Sequence, residues 1–339
     1  MPDPYNLEEL LGGIRQGSRP HIARAITLVE SSLPTHRERA RQLLRELTQS
    51  PTQSVRLGIS GVPGAGKSTF TDALGTRLVD AGHKVGVLAV DPSSSRTGGS
   101  ILGDRTRMAE LASREDAYIR PSPSGNHLGG VARATRESML ILEGAGFDVI
   151  IVETVGVGQS EVAVAGMVDT FLLLALARAG DQLQGIKRGI LEMVDVIGIN
   201  KADGSGESDA RVAAREMRIA MKLISSASED RVPQVLPCSA YTGMGLDELW
   251  QAVLDHRAAL EQDGGLAARR AQQQVDWLWA MAEEEVRASL HRSPAVTQRR
   301  DELEAAIAGG QLSALEGVQE LLQAWRSDII AGPTGQLGA

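Results

Sequence analysis

Cysteine is nearly absent from this sequence, since Cys238 is the single one in 339 residues. One thiol cannot form an internal disulfide, and a thiolate zinc site needs several such ligands, so the composition excludes both. We interpret Cys238 as a small buried residue of a strand. Its isolation favours a reducing compartment, and we expect a cytoplasmic protein.

Long apolar runs and basic runs are also missing. No uninterrupted apolar stretch approaches the roughly 20 residues that cross a bilayer. The first residues, MPDPYNLEELL, lack the basic and apolar segments of a leader peptide. Lys and Arg together number 35 against 43 acidic residues, which gives a net charge of −8, and aromatic residues are 3%. We therefore expect neither a membrane nor a nucleic acid as partner.

The sequence does contain two kinds of apolar periodicity. Helical spacing dominates the first part and predicts an N-terminal helical extension over residues 1–50. From residue 51 to about 260, short apolar runs alternate with helical segments. The runs are VRLGIS, KVGVLAV, AYIRPS, DVIIVET, TFLLLAL, VDVIGIN and QVLPCSA. Because they are apolar on both faces, they predict an α/β domain with a mostly parallel sheet covered on both sides.

Strand patterns end after about Leu246, and a C-terminal helical region over residues 261–330 follows, with a frayed tail at 331–339. One predicted helix has two apolar stripes. The first contains Val275, Leu278, Trp279 and Ala282, and the second contains Trp277 and Met281. One stripe could pack on its own domain and the other on a partner, or both could be intramolecular.

A phosphate-binding motif follows the first predicted strand. The segment GVPGAGKST fits G-x-x-x-x-G-K-[ST] and comprises Gly61, Val62, Pro63, Gly64, Ala65, Gly66, Lys67, Ser68 and Thr69. Glycines let backbone N–H groups approach phosphate oxygens, and the helix N-terminus adds partial positive charge. Lys67 is expected to neutralise the β- and γ-phosphates, and Ser68 to place its hydroxyl on Mg²⁺. The motif predicts a P-loop nucleotide-binding domain over residues 51–260.

The segment NKAD indicates which base is bound. The carboxylate of Asp203 can accept two hydrogen bonds from the N1–H and N2 amino groups of guanine, whereas adenine presents an acceptor there. Asn200 is expected to tie the base loop to the phosphate loop, and Lys201 to lie along the purine. In CSAYTG, backbone N–H groups could close over the base, and these belong to Ser239, Ala240 and Tyr241. The alternative interpretation is a polar loop after a strand.

Polar residues end four of the predicted strands, at Asp91, Glu153, Asn200 and Ser239. Ligands bind along this carboxyl edge of an open parallel sheet. Glu153 takes the place where many P-loop enzymes have an aspartate that organises Mg²⁺, so we expect metal and γ-phosphate sensing rather than proton abstraction. Asp104, in the polar loop after Asp91, is a further candidate for Mg²⁺. Helix N-caps are the competing interpretation for Asp91 and Asp104.

Six segments together resemble the MeaB family of GTPases, also called ArgK or methylmalonic aciduria type A proteins. They are GVPGAGKST, AVDPSSSRTGGSILGDRTRM, IRPSPS with LGGVARATRE, VETVGVGQSE, GDQLQGIKRGI and NKADG, and the likeness continues into RRAQQQVDWLWAM. The resemblance implies a metallochaperone-type GTPase fold and a homodimer held by C-terminal helices. It also implies a role in loading and protecting adenosylcobalamin-dependent acyl-CoA mutases of the methylmalonyl-CoA type. Ser68, Asp91, Asp104 and Glu153 match the family's magnesium site.

One loop departs from the family pattern. Where the family has Pro-Gly-Ala-Gly-Asp-Glu, this chain has ARAGDQ from Ala177 to Gln182. Losing a proline and a glycine changes the stiffness of a loop that the family uses as a switch toward the mutase. Candidate coupling residues here are Arg178, Asp181, Gln184 and Lys187. Arg178 and Lys187 could also stabilise phosphate charge, although solvated loop charges are the simpler interpretation.

The residue that aims the attacking water is missing from its usual place. Val157 follows Gly156, where GTPases with a built-in glutamine carry that side chain, and Gln159 comes two positions later. Gly156 and Gln159 are also candidate switch residues, and we expect Gln159 to make ordinary loop hydrogen bonds. The sequence therefore predicts a protein that binds GTP but hydrolyses it slowly alone, with stimulation by the mutase.

Two other functions share parts of this pattern. A nickel-inserting GTPase needs clustered ligands, but the six histidines are scattered and there is one cysteine. A transport-associated kinase is disfavoured by the guanine-type NKAD motif and by the lack of an evident acceptor-activating site.

Overall fold

In this computed structural model of the chain, residues 3–31, 33–48, 53–90, 107–121, 128–154, 160–177, 188–225, 232–262 and 264–331 are described. The chain divides into two compact units, Met1–Gln273 and Gln274–Ala339. The predicted boundaries near residues 50, 260 and 330 remain predictions. Within the described ranges, no helix combines the length and the apolarity that crossing a bilayer requires.

The first unit contains a seven-stranded sheet in which every neighbouring pair is parallel. The strand order is β3-β2-β4-β1-β5-β6-β7. The strands are β1 Val55–Gly61, β2 Val85–Val90, β3 Ala117–Arg120, β4 Val149–Thr154, β5 Thr170–Leu176, β6 Val196–Asn200 and β7 Gln234–Pro237. The predicted α/β fold with a parallel sheet is confirmed.

Helices cover both faces of this sheet. Within the described residues, the α-helices that lie wholly in the first unit are, in chain order, α1 Leu7–Arg15, α2 Arg19–Glu30, α3 Pro34–Leu47, α4 Lys67–Asp80, α5 Ala109–Ala112, α6 Leu128–Gly144, α7 Ser160–Ala165, α8 Arg188–Leu191, α9 Glu207–Ser225 and α10 Leu246–Gln262. The central strands β1 and β4 are buried along their whole length, which explains their continuous apolar runs.

The three N-terminal helices share a hydrophobic cluster with one face of the sheet. Ile14, Ile26 and Leu43 are fully buried and belong to the same cluster as Leu142 on α6 and Ile150 on β4. The side chain of Asn6 caps α1 by accepting a hydrogen bond from the Glu9 amide at 3.1 Å. The N-terminal helices therefore contribute to the core that supports the sheet.

Helix α11, Gly265–Arg292, begins in the first unit. Its first turns are fixed to the amino edge of the sheet by charged pairs. Arg270 lies 2.7 Å from Asp169 before β5, and Arg269 lies 3.1 Å from Asp195 before β6. The side-chain amide of Gln273 donates to the Val168 carbonyl at 2.8 Å. These contacts lie on the sheet edge opposite to the one where polar residues end the strands.

The second unit contains the rest of α11 with α12 Pro294–Ala308 and α13 Ala314–Ala331. Ser293 caps α12 by accepting from the Val296 amide at 3.3 Å and donates to Asp328 on α13 at 2.5 Å. The apolar side chains of Leu278 and Trp279 on α11 are exposed. This unit therefore has a small interior and presents apolar surface.

Glu137 on α6 provides a prediction about stability. Burial raises the pKa of Glu137 to about 7, and the Arg133 guanidinium, whose Nε lies 3.9 Å away, only partly offsets this. The folded state holds this proton more tightly than the unfolded state. The stability that protonated Glu137 contributes to the folded state is therefore complete below about pH 4.5 and is lost as the pH rises through 7.

We expect the wild-type protein to lose roughly 2–3 kcal/mol of its free energy of unfolding between pH 5 and pH 8 through this group. Glu137→Gln should remove that loss, as measured by urea unfolding followed by circular dichroism at both pH values. The exposed Glu216 on α9 offers a control, E216Q, that should leave the difference unchanged. An unaltered pH difference in E137Q would contradict the assignment.

Candidate nucleotide-binding site

The turn between β1 and α4 has the backbone conformation of a phosphate-binding loop. Gly64 has φ 81° and Gly66 has φ 87°, values that residues with side chains rarely adopt. A Cβ at Gly61 would lie 2.3 Å from the Leu174 carbonyl oxygen, and one at Gly66 would lie 2.8 Å from Nδ2 of Asn200. The glycines of the motif are therefore required by sterics, and the loop opens at the N-terminus of α4.

Lys67, the first residue of α4, folds back over this loop. Its Nζ donates to the Gly61 carbonyl at 2.8 Å and to the Val62 carbonyl at 3.3 Å. Burial lowers the pKa of Lys67, while the charges of Glu153 and Glu161 raise it. The ammonium is thus held at the mouth of the loop by weak neutral acceptors, which a phosphate oxygen can replace.

A pocket of about 520 Å³ lies in front of the loop. The residues that line it come from the loop and from the ends of β2 and β4, together with Arg107 before α5. They are Pro63, Gly64, Gly66, Lys67, Ser68, Thr69, Ala89, Val90, Arg107, Glu153 and Thr154. Six predicted site residues of the phosphate loop therefore face one cavity, and Val62 and Ala65 lie in the turn that forms its wall.

Glu153 lies one residue before the end of β4, at the floor of this pocket, and is buried. Ser68 Oγ donates to its Oε1 at 2.7 Å, and Thr71 Oγ1 donates to its Oε2 at 2.8 Å. Sequence reasoning did not identify Thr71. The available signal is its spacing, since residues three apart on a helix share a face and the phosphate-binding motif assigns Ser68 to the metal. Arg107 was also missed, and only its closeness to Asp104 in sequence could have suggested it.

Asn200 at the end of β6 connects the phosphate loop to the predicted base loop. Its Nδ2 donates to the Ala65 carbonyl at 2.8 Å, and its Oδ1 accepts from the Ala240 amide at 3.1 Å. The next residue, Lys201, is exposed and has φ 63°, a left-handed conformation that is unusual for a side-chain-bearing residue. This backbone turn carries the Lys201 side chain away from the core.

The two segments of the predicted base site also contact each other. Ser239 Oγ donates to the Asp203 carboxylate and accepts from the Thr242 amide. The amides of Ser239 and Ala240 are used within the protein, by the Met244 carbonyl and by Asn200. The side chain of Tyr241 is 89% exposed. In this conformation, therefore, the Ser239 and Ala240 amides already have acceptors within the protein.

The oxygen donors in the pocket fit a hard cation. Ser68 and Glu153 offer a hydroxyl and a carboxylate, the ligands that Mg²⁺ prefers. Burial raises the pKa of the Cys238 thiol to about 12, so this residue stays protonated rather than acting as a thiolate ligand. No group of three or more potential His, Cys, Asp or Glu ligands occurs within the described residues.

Eight predicted site residues lie outside the described residues. Two are predicted Mg²⁺ ligands and six are predicted switch residues. They are Asp91, Asp104, Gly156, Gln159, Arg178, Asp181, Gln184 and Lys187.

The parallel sheet, the phosphate loop at the end of β1 and the NKAD segment at the end of β6 define a P-loop GTPase. The family model described as methylmalonyl Co-A mutase-associated GTPase MeaB matches residues 22–295, so the chain belongs to the MeaB family. The predicted resemblance is confirmed.

Relatives agree with this placement over nearly the whole chain. A probable GTPase of Mycobacterium tuberculosis is 54% identical over 321 residues, which are 95% of this chain and 96% of that protein. The mouse protein described as methylmalonic aciduria type A homolog, mitochondrial, is 43% identical over 95% of this chain and 80% of its own length. A crystal structure described as LAO/AO transport system kinase superposes with a TM-score of 0.74 at 40% identity, covering 94% of this chain and 96% of the other.

Proposed function

We propose that this GTPase is a chaperone for an adenosylcobalamin-dependent acyl-CoA mutase of the methylmalonyl-CoA type. In this proposal its nucleotide state governs loading, protection or reactivation of the mutase. The observation that carries the proposal is the family match, whose description associates the GTPase with that mutase. The reducing cytoplasm that the single cysteine favours is part of the same proposal.

GTP and Mg²⁺ are the ligands that this site would take. Lys67 would exchange the Gly61 and Val62 carbonyls for phosphate oxygens, and Ser68 would turn a lone pair toward the metal. Mg²⁺, when bound, would neutralise charge on the β- and γ-phosphates. Asp91 and Asp104 would complete the oxygen ligands in the way that the family resemblance implies.

Glu153 is poorly suited to take a proton from water. Its two carboxylate oxygens already accept hydrogen bonds from Ser68 and Thr71, and it lies against the loop lysine. Its proposed role is to orient the metal-binding hydroxyl. Together with Val157 in place of a glutamine, this supports slow hydrolysis by the isolated protein.

The mutase would be sensed by the loops that follow β4 and β5. Their proposed coupling residues are Gly156, Gln159, Arg178, Asp181, Gln184 and Lys187. A homodimer through the C-terminal helices completes the proposal. It is supported by apolar side chains that α11 exposes, since Leu278 is 57% and Trp279 is 64% accessible.

The decisive experiment measures GTP turnover by the purified chain with and without candidate acyl-CoA mutases from the same cell. One added transition-state contact is worth roughly 10³–10⁵ in rate, so we expect a stimulation of at least about tenfold. An unrelated CoA-dependent enzyme serves as the control. Full-speed turnover that added mutase does not change would contradict the proposal, as would phosphoryl transfer to a protein acceptor or stoichiometric nickel binding.

A further inference from the structure

Two hydroxyls on α4 hold the two oxygens of one buried carboxylate. Ser68 Oγ donates to Oε1 of Glu153 at 2.7 Å, and Thr71 Oγ1 donates to Oε2 at 2.8 Å. Thr71 is fully buried, and it lies one helical turn after Ser68. Hydrogen bonds to a charged acceptor are about twice as strong as neutral ones, so the pair fixes the orientation of Glu153.

This orientation matters for the hydroxyl of Ser68. A serine that ligates a cation presents a lone pair to the metal, and its single proton must then point toward an acceptor. The Oε1 atom of Glu153 lies at the required distance. If the carboxylate rotated, that proton would lose its acceptor, and the lone pair would no longer be held toward the pocket.

We propose that Thr71 is a positioning residue for the cation site, because it holds Glu153 so that Oε1 faces the Ser68 hydroxyl. The inference rests on the magnesium-dependent GTP binding proposed above. Thr71 itself contacts neither metal nor nucleotide in this scheme and acts through Glu153. Outer partners of this kind typically change metal affinity by about 10- to 100-fold when they are removed.

A second threonine on the same helix differs from Thr71 in its contacts. Thr76 is also buried, and its hydroxyl has no hydrogen-bond partner within the described residues. Among the described residues, therefore, a buried threonine hydroxyl of α4 does not always have an acceptor. The Thr71 hydroxyl, in contrast, donates to a carboxylate at the pocket floor, which makes Thr76 the matched comparison for Thr71.

The test uses the full chain and the variants T71V, T71S and T76V. Valine keeps the shape of threonine and removes the donor, whereas serine keeps the donor. Calorimetry measures GDP affinity over a range of Mg²⁺ concentrations and in EDTA. For T71V we expect the half-saturating Mg²⁺ concentration to rise about 10- to 100-fold, with GDP affinity in EDTA within about twofold of wild type. T71S should stay near wild type, and T76V should match it.

The other outcomes separate failure of the proposed function from failure of the Thr71 inference. If wild-type GDP affinity does not depend on Mg²⁺, the proposed function fails first. If wild type responds and T71V has the same midpoint, or weakens equally in EDTA, the Thr71 inference fails alone. E153Q with T71V should show no additional loss over E153Q, because Thr71 acts through that carboxylate. Should T71V not fold, T71A takes its place, since alanine is the best helix former.

Discussion

Asp203→Asn is expected to reverse the base preference of this GTPase from guanine to xanthine. The carboxylate of Asp203 can accept from both N1–H and the N2 amino group of guanine, whereas an asparagine amide places a donor against that amino group. Xanthine carries a carbonyl at this position and accepts from the amide. Each hydrogen bond to a charged group is worth about 1.5–3 kcal/mol, so we expect GDP affinity to fall roughly 10²- to 10³-fold.

Calorimetry with GDP and xanthosine diphosphate checks this reversal. The matched control is Ser239→Ala. This substitution removes a hydroxyl that donates to the Asp203 carboxylate and leaves the carboxylate itself in place. That variant should weaken GDP binding less and should not gain affinity for xanthosine diphosphate. If Asp203→Asn kept its guanine preference, or if the wild-type protein preferred ATP, the base site would not be where NKAD places it.

The parallel sheet and the phosphate loop could be predicted from sequence because each depends on local information. Strands buried on both faces leave continuous apolar runs, as β1 and β4 do. The glycines of the loop are required by the local backbone conformation, since Gly64 and Gly66 both have positive φ. Each of these signals is contained in a short segment of the chain.

Contacts that join distant segments could not be predicted in the same way. The hydrogen bond from Thr71 to Glu153 joins residues 82 positions apart, so the helical spacing from Ser68 indicates the face on which Thr71 lies but not its partner. Likewise, the Ala240 amide is used inside the protein, because Asn200, 40 positions earlier, offers an acceptor whose placement follows from the fold. The sequence indicates which residues have suitable chemistry, and the fold decides which atoms remain available to a ligand.

Lys67→Ala is expected to cause a large loss of nucleotide binding. The ammonium lies at the mouth of the phosphate loop, 2.8 Å from the Gly61 carbonyl, and burial lowers its pKa, although the charges of Glu153 and Glu161 favour the protonated form. Lys67 and Arg107 are the cationic side chains among the described residues that line the pocket. Removing Lys67 therefore leaves Arg107 as the remaining described cation there. We expect GTP affinity to fall roughly 10²- to 10³-fold, since charge-assisted contacts to phosphate are among the strongest hydrogen bonds.

The control for Lys67→Ala is the exposed Lys84 before β2, because K84A removes the same charge far from the pocket. It should bind GTP like the wild type, which separates local from net-charge effects. Thermal unfolding without nucleotide should show that Lys67→Ala is folded, and saturating GTP should then raise its melting temperature far less than that of wild type or K84A. Two results would show that the charge of Lys67 does not govern nucleotide binding. The first is wild-type GTP affinity in Lys67→Ala. The second is nucleotide-dependent pull-down of a mutase by this variant, because a partner can respond to nucleotide only if nucleotide is bound.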